Sequence, residues 1–434
     1  LADEFLTARG RSGYRVAQGA PLPRLPEAKG RSPARGEGVD WARLLAHRTP
    51  TGPFSMGKPP DWRSYRYPFV YGQADPTLFD HANWRLCVLQ SMGQRDFPRM
   101  ADDLFERDDP GLLDYTARHT LPRRGILARE DEVLITLGAQ NALWLAAQLL
   151  LNRRRTAAIE EPGFPALRDI LGQIGCRVRA VPVGPQGLDP AQLPQGLDAL
   201  FCTPSHQCPT GATMPLDARQ KLLDRAGAER FVIVEDDYEF EVAHDRAPLP
   251  ALKSLDRDGR VIHVGSFSKS MFPGLRLGFL VGPAPFIAAA RAVRIASRKT
   301  SLAGLQRAAA QFLSLGHYDA MLRRLTQALA RRREAMLRAI AAEGLEIAGQ
   351  AGSGGSSLWM RAPEGVAAVE LAAALRAESV LIEPGHPFFG TAVARDRHYR
   401  IAYSSITEDR IAPGIARIAA RIRAPDASIS VSKF

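Results

Sequence analysis

The sequence predicts an α/β protein, with a large domain on a mainly parallel sheet and a smaller α/β domain toward the C-terminus. Three observations predict it. Between residues 130 and 300 short apolar runs alternate with helical stretches, the pattern of strands joined by crossover helices. Residues 285–343 are mostly helical, with an Arg/Ala/Leu pattern through "YDAMLRRLTQALARRREAMLRAIAAEG". Beyond them strands ("SLWMRAP", "RIAYSSI") mix with helices to about residue 423. At 434 residues the chain has room for two or three domains and a large core.

In chain order, residues 1–17, "LADEFLTARGRSGYRVA", read as a helix end followed by a tight β-hairpin, with Gly at the turn and alternation after it. Residues 18–65 read as a linker, rich in Pro, Gly and Arg up to about 60 and without periodicity. A large domain with an N-terminal segment is expected over 66–304. In it "EVLITLG" precedes a helix at 139–151, and "TAAIEEPGF" precedes one near 165–174. The stretches "CRVRAVPV", "ALFCTPS", "RFVIVEDD" and "RVIHVGSFS" supply further strands. The small domain is expected over 305–423.

Composition narrows the function classes. Hydrophobic content of 45% and charged content of 24% fit a soluble globular protein. No apolar run reaches the roughly 18–20 residues of a membrane span, and the longest, "ALWLAAQLLL" at 142–151, holds a Gln and reads as a buried helix. No signal peptide is visible, which points to a cytoplasmic protein with no membrane partner. The chain begins with Leu1 rather than Met, and the expectation is that an N-terminal piece is missing. The net charge of +11 can attract nucleic acid or an acidic ligand, but the positive charge is spread along the chain. The four cysteines are scattered, without zinc-ligand spacing, so no metal is expected and reduced thiols are.

Chemistry is concentrated at strand ends. In "HVGSFSKSMFPGLRLGFLVG" (263–282) Lys269 sits in a Ser/Gly-rich turn, and Arg276 follows seven residues later. Seven of the 57 basic residues are Lys, so a tightly framed lysine stands out. An amine is nucleophilic when deprotonated, and desolvation or nearby cations favour that form. With Ser266, Ser268 and Arg276 beside it, Lys269 suits a Schiff base next to a bound phosphate, as pyridoxal 5'-phosphate (PLP) needs. The other reading is a surface turn with a solvated lysine. "TLGAQNALWLA" places Gly138, Ala139 and Gln140 between a strand and a helix, where backbone N–H groups bind anions; alone it is equally a plain glycine turn. "FVIVEDDYEFE" ends a strand on Glu235, Asp236, Asp237 and Tyr238. A carboxylate there can keep a pyridine nitrogen protonated and the Tyr hydroxyl can reach a phenolic oxygen, unless the run is only a solvated loop. In "EEPGFP", Phe164 either stacks on a ring or fills the core. "TPSHQCPTG" offers His206 and Gln207 at a strand's C-terminal end, where open α/β sheets bind ligands, though a lone His is often structural. "RHYRIAYSS" places Arg400 at the start of an apolar strand, to grip a carboxylate or, on an edge strand, to pair with a surface acid. Together these loops supply the contacts of one cofactor.

"SFSKSMFPGLRLG" resembles the lysine motif of fold-type I, aspartate-aminotransferase-like PLP enzymes. "TPSHQCPTGATMPLDAR", "VEDDYEFE" and "YGQADPTLFDHANWR" resemble the MocR subfamily of GntR-type bacterial transcriptional regulators, over about 66–423. "YGQADP", "LPRRGI", "GGSSLW" and "IEPGHPFF" look most like the branch that regulates ectoine or taurine-type catabolism. Residues 1–17 resemble the last helix and wing of a GntR winged helix, which implies that most of that DNA-binding domain is missing from this chain. The resemblance implies an internal aldimine at Lys269, with Asp236 at the pyridine nitrogen and Tyr238 at the phenolic oxygen. It implies phosphate contacts from Ala139, Gln140, Ser266, Ser268 and Arg276, and stacking by Phe164. Arg400 would bind an effector's carboxylate, with Gly72 and His206 on the effector side. Two positions depart from the pattern. Cys208 stands where aminotransferases have an Asn before "PTG", and Arg107 where a phosphate-reaching Tyr is common. The implied function is a homodimeric sensor of an amino-acid or diamino-acid effector, bound as external aldimine with little or no turnover. The alternative is an active PLP-dependent aminotransferase.

Overall fold

The structure is a computed structural model. It describes residues 6–8, 14–16, 39–41, 43, 58–73, 75–101, 106–242, 249–297, 302–350, 354–390 and 397–424. The chain divides into two compact units, Leu1–Thr51 and Gly52–Phe434. In the first, Leu6–Ala8 pairs antiparallel with Tyr14–Val16, Leu6 opposite Val16, which gives the expected hairpin. The expected helix end at residues 1–5 lies outside the described residues, as does most of the expected linker.

The second unit holds the large sheet. Its strands are β1 (Val133–Thr136), β2 (Thr156–Glu161), β3 (Arg177–Gly184), β4 (Gly187–Leu188), β5 (Ala199–Cys202), β6 (Val232–Asp236), β7 (Val261–Ser266) and β8 (Gly278–Val281). Among the described residues their order is β1-β8-β7-β6-β5-β2-β3-β4. Strands β7, β6, β5, β2 and β3 pair in parallel. β8 runs against both β1 and β7, so β1 points the same way as the parallel set. Strands β1, β5, β7 and β8 are buried at every residue, as expected of strands covered on both faces.

Helices α1 (His81–Ser91), α2 (Ala139–Leu150), α3 (Pro165–Ile174), α4 (Leu216–Glu229), α5 (Ala284–Ser297) and α6 (Ala303–Ser314) surround it. α2 turns Ala142, Leu143, Leu145, Ala146 and Ala147 into a core shared with Ile159, Val264 and Leu280. α3 starts on Pro165 and ends at Gly175 with φ 75°, a pre-set first turn and a left-handed stop.

A second core forms around a sheet of β9 (Glu346–Ile347), β10 (Ser357–Arg361), β11 (Glu383–Pro384) and β12 (His398–Ala402), in the order β9-β10-β12-β11. The 27-residue helix α7 (His317–Glu343) serves both cores: Tyr318 and Met321 pack under the large sheet, while Leu325, Leu329, Met336 and Ile340 enter the second core. Helix α8 (Glu408–Arg423) packs there through Ile411, Ile415, Ile418 and Ile422. The segment before the large sheet is built into this core. Tyr67–Pro68 pairs in parallel with Val380–Leu381, and Tyr67 and Phe69 are buried. Trp62 is also buried, against Val70 and Leu381. Arg332 on α7 ion-pairs with buried Asp75 and donates to the carbonyls of Tyr403 and Ser404. The segment around Gly72 is thereby fixed over the C-terminal ends of the large sheet's strands. No described helix is long and apolar enough to cross a membrane.

Candidate active site

The turn after β7 is held from both sides. The Ser268 amide donates to Ser266 Oγ at 3.2 Å, Phe267 N–H to the Leu277 carbonyl at 3.0 Å, and Met271 N–H to the Phe267 carbonyl at 3.0 Å. Phe267 and Met271 are buried in the core below, which leaves Lys269 turned into the cleft. Lys269 Nζ stands 4.0 Å from the centre of the Tyr71 ring, and Arg400 Cζ stands 3.8 Å from the same centre. Burial lowers the Lys269 pKa, Glu239 works against that and Arg400 with it. Gly72 is shaped to this amine. Its φ is 71°, and a Cβ there would lie 2.8 Å from Lys269 Nζ.

The two aspartates that end β6 have different fates. Asp237 is buried and ion-paired to Arg124 at 2.6 Å. Asp236 is buried too, but its Oδ1 has no hydrogen-bond partner among the described residues. Burial first, then the charge of Asp237, pushes its pKa up to about 7, with Lys269 opposing. It lines a small apolar pocket with Leu143, Ile159, Phe164 and Phe201. Glu160 lines the same pocket and accepts from Thr203 Oγ at 2.5 Å; burial pushes it, too, up to about 7. An orphaned buried carboxylate oxygen costs stability unless a cation or donor meets it. The protonated pyridine nitrogen of PLP is such a donor, so the residues present fit that cofactor.

The phosphate end is equally open. Helix α2 starts at Gly138 (φ 81°) with no side-chain cap, so the N–H groups of Ala139 and Gln140 lie at an uncapped helix N-terminus. A Cβ on Gly138 would be 3.4 Å from the Arg276 guanidinium carbon. Arg276 is exposed, takes φ 52° and donates to the Leu137 carbonyl at 3.3 Å. Ser268 Oγ donates to the Leu277 carbonyl at 3.4 Å.

On the opposite side one sequence expectation is corrected. Arg400 is neither at the start of its strand nor on an edge. It is the third residue of β12, which runs between β10 and β11, and it is 1% exposed. Its acid is not a surface group: Nε donates to Glu383 Oε2 at 2.7 Å, and Glu383 is buried directly across the strand pair. The alternation of β12 forces this: Tyr399 and Ile401 face the second core, so Arg400 points to the opposite, cleft side, where it is still buried and needs a counter-charge. His206 is half-buried, with Nε2 3.5 Å from Glu239 Oε2 and its ring edge-on to Tyr238 at 6.2 Å. Burial lowers its pKa. Gln207 lies inside the loop and donates to the Pro162 and Cys208 carbonyls. Cys208 is buried against Trp359 and Phe388, and burial pushes its thiol up to about 12, a neutral group.

Lys269, Asp236, Tyr238, Phe164, Ser266, Ser268, Arg276 and the start of α2 thus gather at the C-terminal ends of the strands, with Gly72, His206 and Arg400 facing them. Sequence reasoning passed over Tyr71, Glu239 and Glu383. All three lie inside stretches already singled out, "YGQADP", "VEDDYEFE" and "IEPGHPFF". The role of Glu383 went unread there because it depends on pairing with a strand residue 17 positions later. Among the described residues no group of three or more His, Cys, Asp or Glu side chains could hold a metal ion.

Residues 117–418 match the aminotransferase class I and II family. The chain is 54% identical to the HTH-type transcriptional regulator TauR of Rhodobacter capsulatus, over 98% of this chain and 87% of that protein. It is 34% identical to the probable rhizopine catabolism regulatory protein MocR of Rhizobium meliloti, over 52% of this chain and 46% of that one. The solved structure of LysN, an alpha-aminoadipate aminotransferase from Thermus thermophilus complexed with N-(5'-phosphopyridoxyl)-L-leucine, superimposes with a TM-score of 0.72. It shares 27% identity and covers 82% of this chain and 91% of its own. The fold is therefore that of fold-type I PLP aminotransferases and the cofactor is PLP, while the relative that is 54% identical, TauR, is a regulator. The chain belongs to the aminotransferase class I and II family and, within it, to the MocR/GntR-type transcriptional regulators that carry an aminotransferase-like domain.

Proposed function

We propose that the chain senses an amino-acid effector for a transcriptional regulator, with Lys269 as the covalent attachment point of PLP. The observation that carries this is the unanswered Oδ1 of buried Asp236 in a cleft it shares with a lysine whose amine burial has weakened as a base. Bound there, PLP supplies an electrophilic aldehyde carbon and an electron-accepting ring. Asp236 accepts the pyridine N–H, Tyr238 donates to the phenolic oxygen, and Phe164 lies against the ring. Ala139, Gln140, Ser266, Ser268 and Arg276 hold the phosphate. Arg400, kept in place by Glu383, binds the effector's carboxylate, and Gly72 and His206 line that side. A ligand biases a regulator only by binding one of its states more tightly, so effector contacts that span both cores are the natural lever.

The rest of the reading follows the family. Residues 1–17 belong to the winged helix that contacts DNA and 18–65 are the linker up to the packed Trp62; 66–304 are the large domain, whose N-terminal segment around Tyr67 and Phe69 packs into the core of the small one, and 305–423 the small one, whose first helix stays on the large domain. The protein works as a cytoplasmic homodimer; α1 exposes Leu86 and Leu89, an apolar face for a second copy. Turnover is small, because a neutral, buried Cys208 stands where aminotransferases place a hydrogen-bonding Asn. A working aminotransferase is the second reading, favoured by the likeness to LysN.

The test is the visible absorbance spectrum of the protein with added PLP, for wild type and Lys269→Ala, followed by amino-acid titration. A band in wild type alone, shifted by an amino acid without release of keto acid, is the expected result. Steady keto-acid release selects the aminotransferase. The absence of a band in wild type overturns the assignment of Lys269.

A further inference from the structure

Tyr71 is 7% exposed and sits on backbone that is tied down on both sides. Before it, the Phe69 N–H donates to the Leu381 carbonyl at 3.0 Å, and the Phe69 carbonyl accepts from the Ala402 N–H at 3.1 Å. Ser405 Oγ stands 2.9 Å from the carbonyls of both Pro68 and Val70. After it, Asp75 is ion-paired to Arg332. A ring carried on such a segment stays where it is placed.

Two cations meet that ring, Lys269 Nζ at 4.0 Å from its centre and Arg400 Cζ at 3.8 Å. Two groups so close to one ring centre cannot share a face without colliding, so the ring stands between them. Arg400 has other anchors, the Glu383 carboxylate and the Phe388 ring at 4.7 Å. Glu239 and Arg400 act on the Lys269 amine in opposite senses, and the Tyr71 ring is what it rests on. Gly72 completes the fit: a Cβ there would come within 2.8 Å of Nζ, so the missing side chain is what lets the amine down onto the ring.

Turnover would need a displaced Lys269 to take the proton from the effector's Cα while the C–H bonding pair flows into the cofactor's ring. An ammonium on a desolvated aromatic face is held there, and only a neutral amine that leaves the face can accept a proton from carbon. We infer that Tyr71 and Gly72 form a seat for the Lys269 amine once an effector has displaced it, and that Tyr71, a positioning residue, thereby keeps the amine from the effector's Cα. The inference rests on the reading that Lys269 carries PLP and that an effector amine takes its place. It makes the low turnover a property of the Tyr71 ring as well as of Cys208.

The seat is tested on the full chain without PLP, with its seven lysines isotope-labelled at Cε and followed by NMR. The Lys269 signal is the one that Lys269→Ala lacks. A methylene beside a ring face is shielded, so its protons are expected upfield of the other lysines. Tyr71→Leu is expected to abolish that shift, and Tyr71→Phe, which keeps the ring, to retain it. An unshifted wild-type signal overturns the inference. The consequence is tested with PLP loaded, by adding L-alanine, L-glutamate and L-ornithine separately to saturation in heavy water and following loss of the Cα proton signal. With an amino acid that moves the visible band, Tyr71→Leu is expected to exchange this proton about tenfold faster than wild type, the scale of one desolvated cation–π contact. Tyr71→Phe is expected to keep the slow rate. Damage to the site would slow exchange, so a gain in rate separates holding the amine from holding the fold. Tyr71→Met serves as a second variant should Tyr71→Leu not fold. Exchange in the ring-less variant no faster than in wild type overturns the inference and leaves the reading beneath it standing. A band that none of the three amino acids moves overturns both.

Discussion

The two sides of the cleft are built on opposite principles. The floor, made by the C-terminal ends of β1, β2, β5, β6 and β7, leaves its polar groups unanswered: Asp236 Oδ1 has no partner and α2 has no side-chain cap. The roof, made by the Tyr71–Gly72 segment and the second core, answers its main charge internally, with Arg400 paired to Glu383 and both buried. An unanswered floor is what a cofactor of fixed shape needs, because it supplies the missing charges itself. A roof that is stable without a ligand is what a variable effector needs. Substitutions in the floor should therefore appear in cofactor binding, and those in the roof in stability and effector binding.

The largest effect that would break or sharpen this contrast is in the roof. Arg400→Met leaves Glu383 buried without its cation, and removing one partner of a buried pair costs about 3–5 kcal/mol. The double variant Arg400→Met/Glu383→Gln is expected to recover much of that loss. Urea unfolding of the three proteins without PLP measures it. If Arg400→Met costs under about 1 kcal/mol, the pair contributes little to the roof, and the contrast fails.

Next in size is a floor substitution, Asp236→Asn. In the cofactor-free protein this carboxyl titrates near 7, well above its ordinary value, with burial as the leading cause. A raised folded pKa means that the folded state holds the proton where the unfolded state has lost it. Stability therefore falls as pH rises from about 4 to about 7 and stays at the lower level above that. Asn cannot ionise, so the variant's melting temperature without PLP should fall less over this window, with Glu160 contributing a remaining slope. Its PLP affinity should be weaker by roughly 10–100-fold, one to two pKa units of lost charge interaction. Equal slopes in both proteins would show that Asp236 does not carry an unanswered charge.

The floor was also the legible half. Alternating strands and helices place every loop after a parallel strand at one end of the sheet, so Lys269, Asp236, Phe164 and the start of α2 could be gathered by counting along the chain. Their residue types did the rest. The roof was legible only in fragments. Tyr71 and Glu239 sat unnoticed in stretches singled out for Gly72 and Tyr238, because an aromatic ring beside a lysine and a lone carboxylate have no spacing that marks them. Glu383 acquires its role through the register of β11 against β12, a contact that no local pattern encodes. The same register moved Arg400 from an expected strand start to a buried strand interior.

Gly72 tests whether floor and roof are separable at all. It is a roof residue whose missing side chain makes room for a floor residue. Gly72→Ala has two costs: a non-glycine residue at φ 71°, about 1–2 kcal/mol, and a Cβ placed 2.8 Å from Lys269 Nζ. The lysine's flexible end can move aside, and in doing so it leaves the position from which it would hold the cofactor. Without PLP the variant should lose about 1–2 kcal/mol of stability, and its cofactor band should form several-fold more weakly than in wild type. The two costs separate in the Lys269→Ala background, where the contact is gone and the backbone term remains. A cycle of the two substitutions, read by thermal unfolding without PLP, should therefore give a coupling of about 0.5 kcal/mol or more, with the glycine substitution costing less when the lysine is absent. Additivity within error would mean that Gly72 answers only to its own backbone.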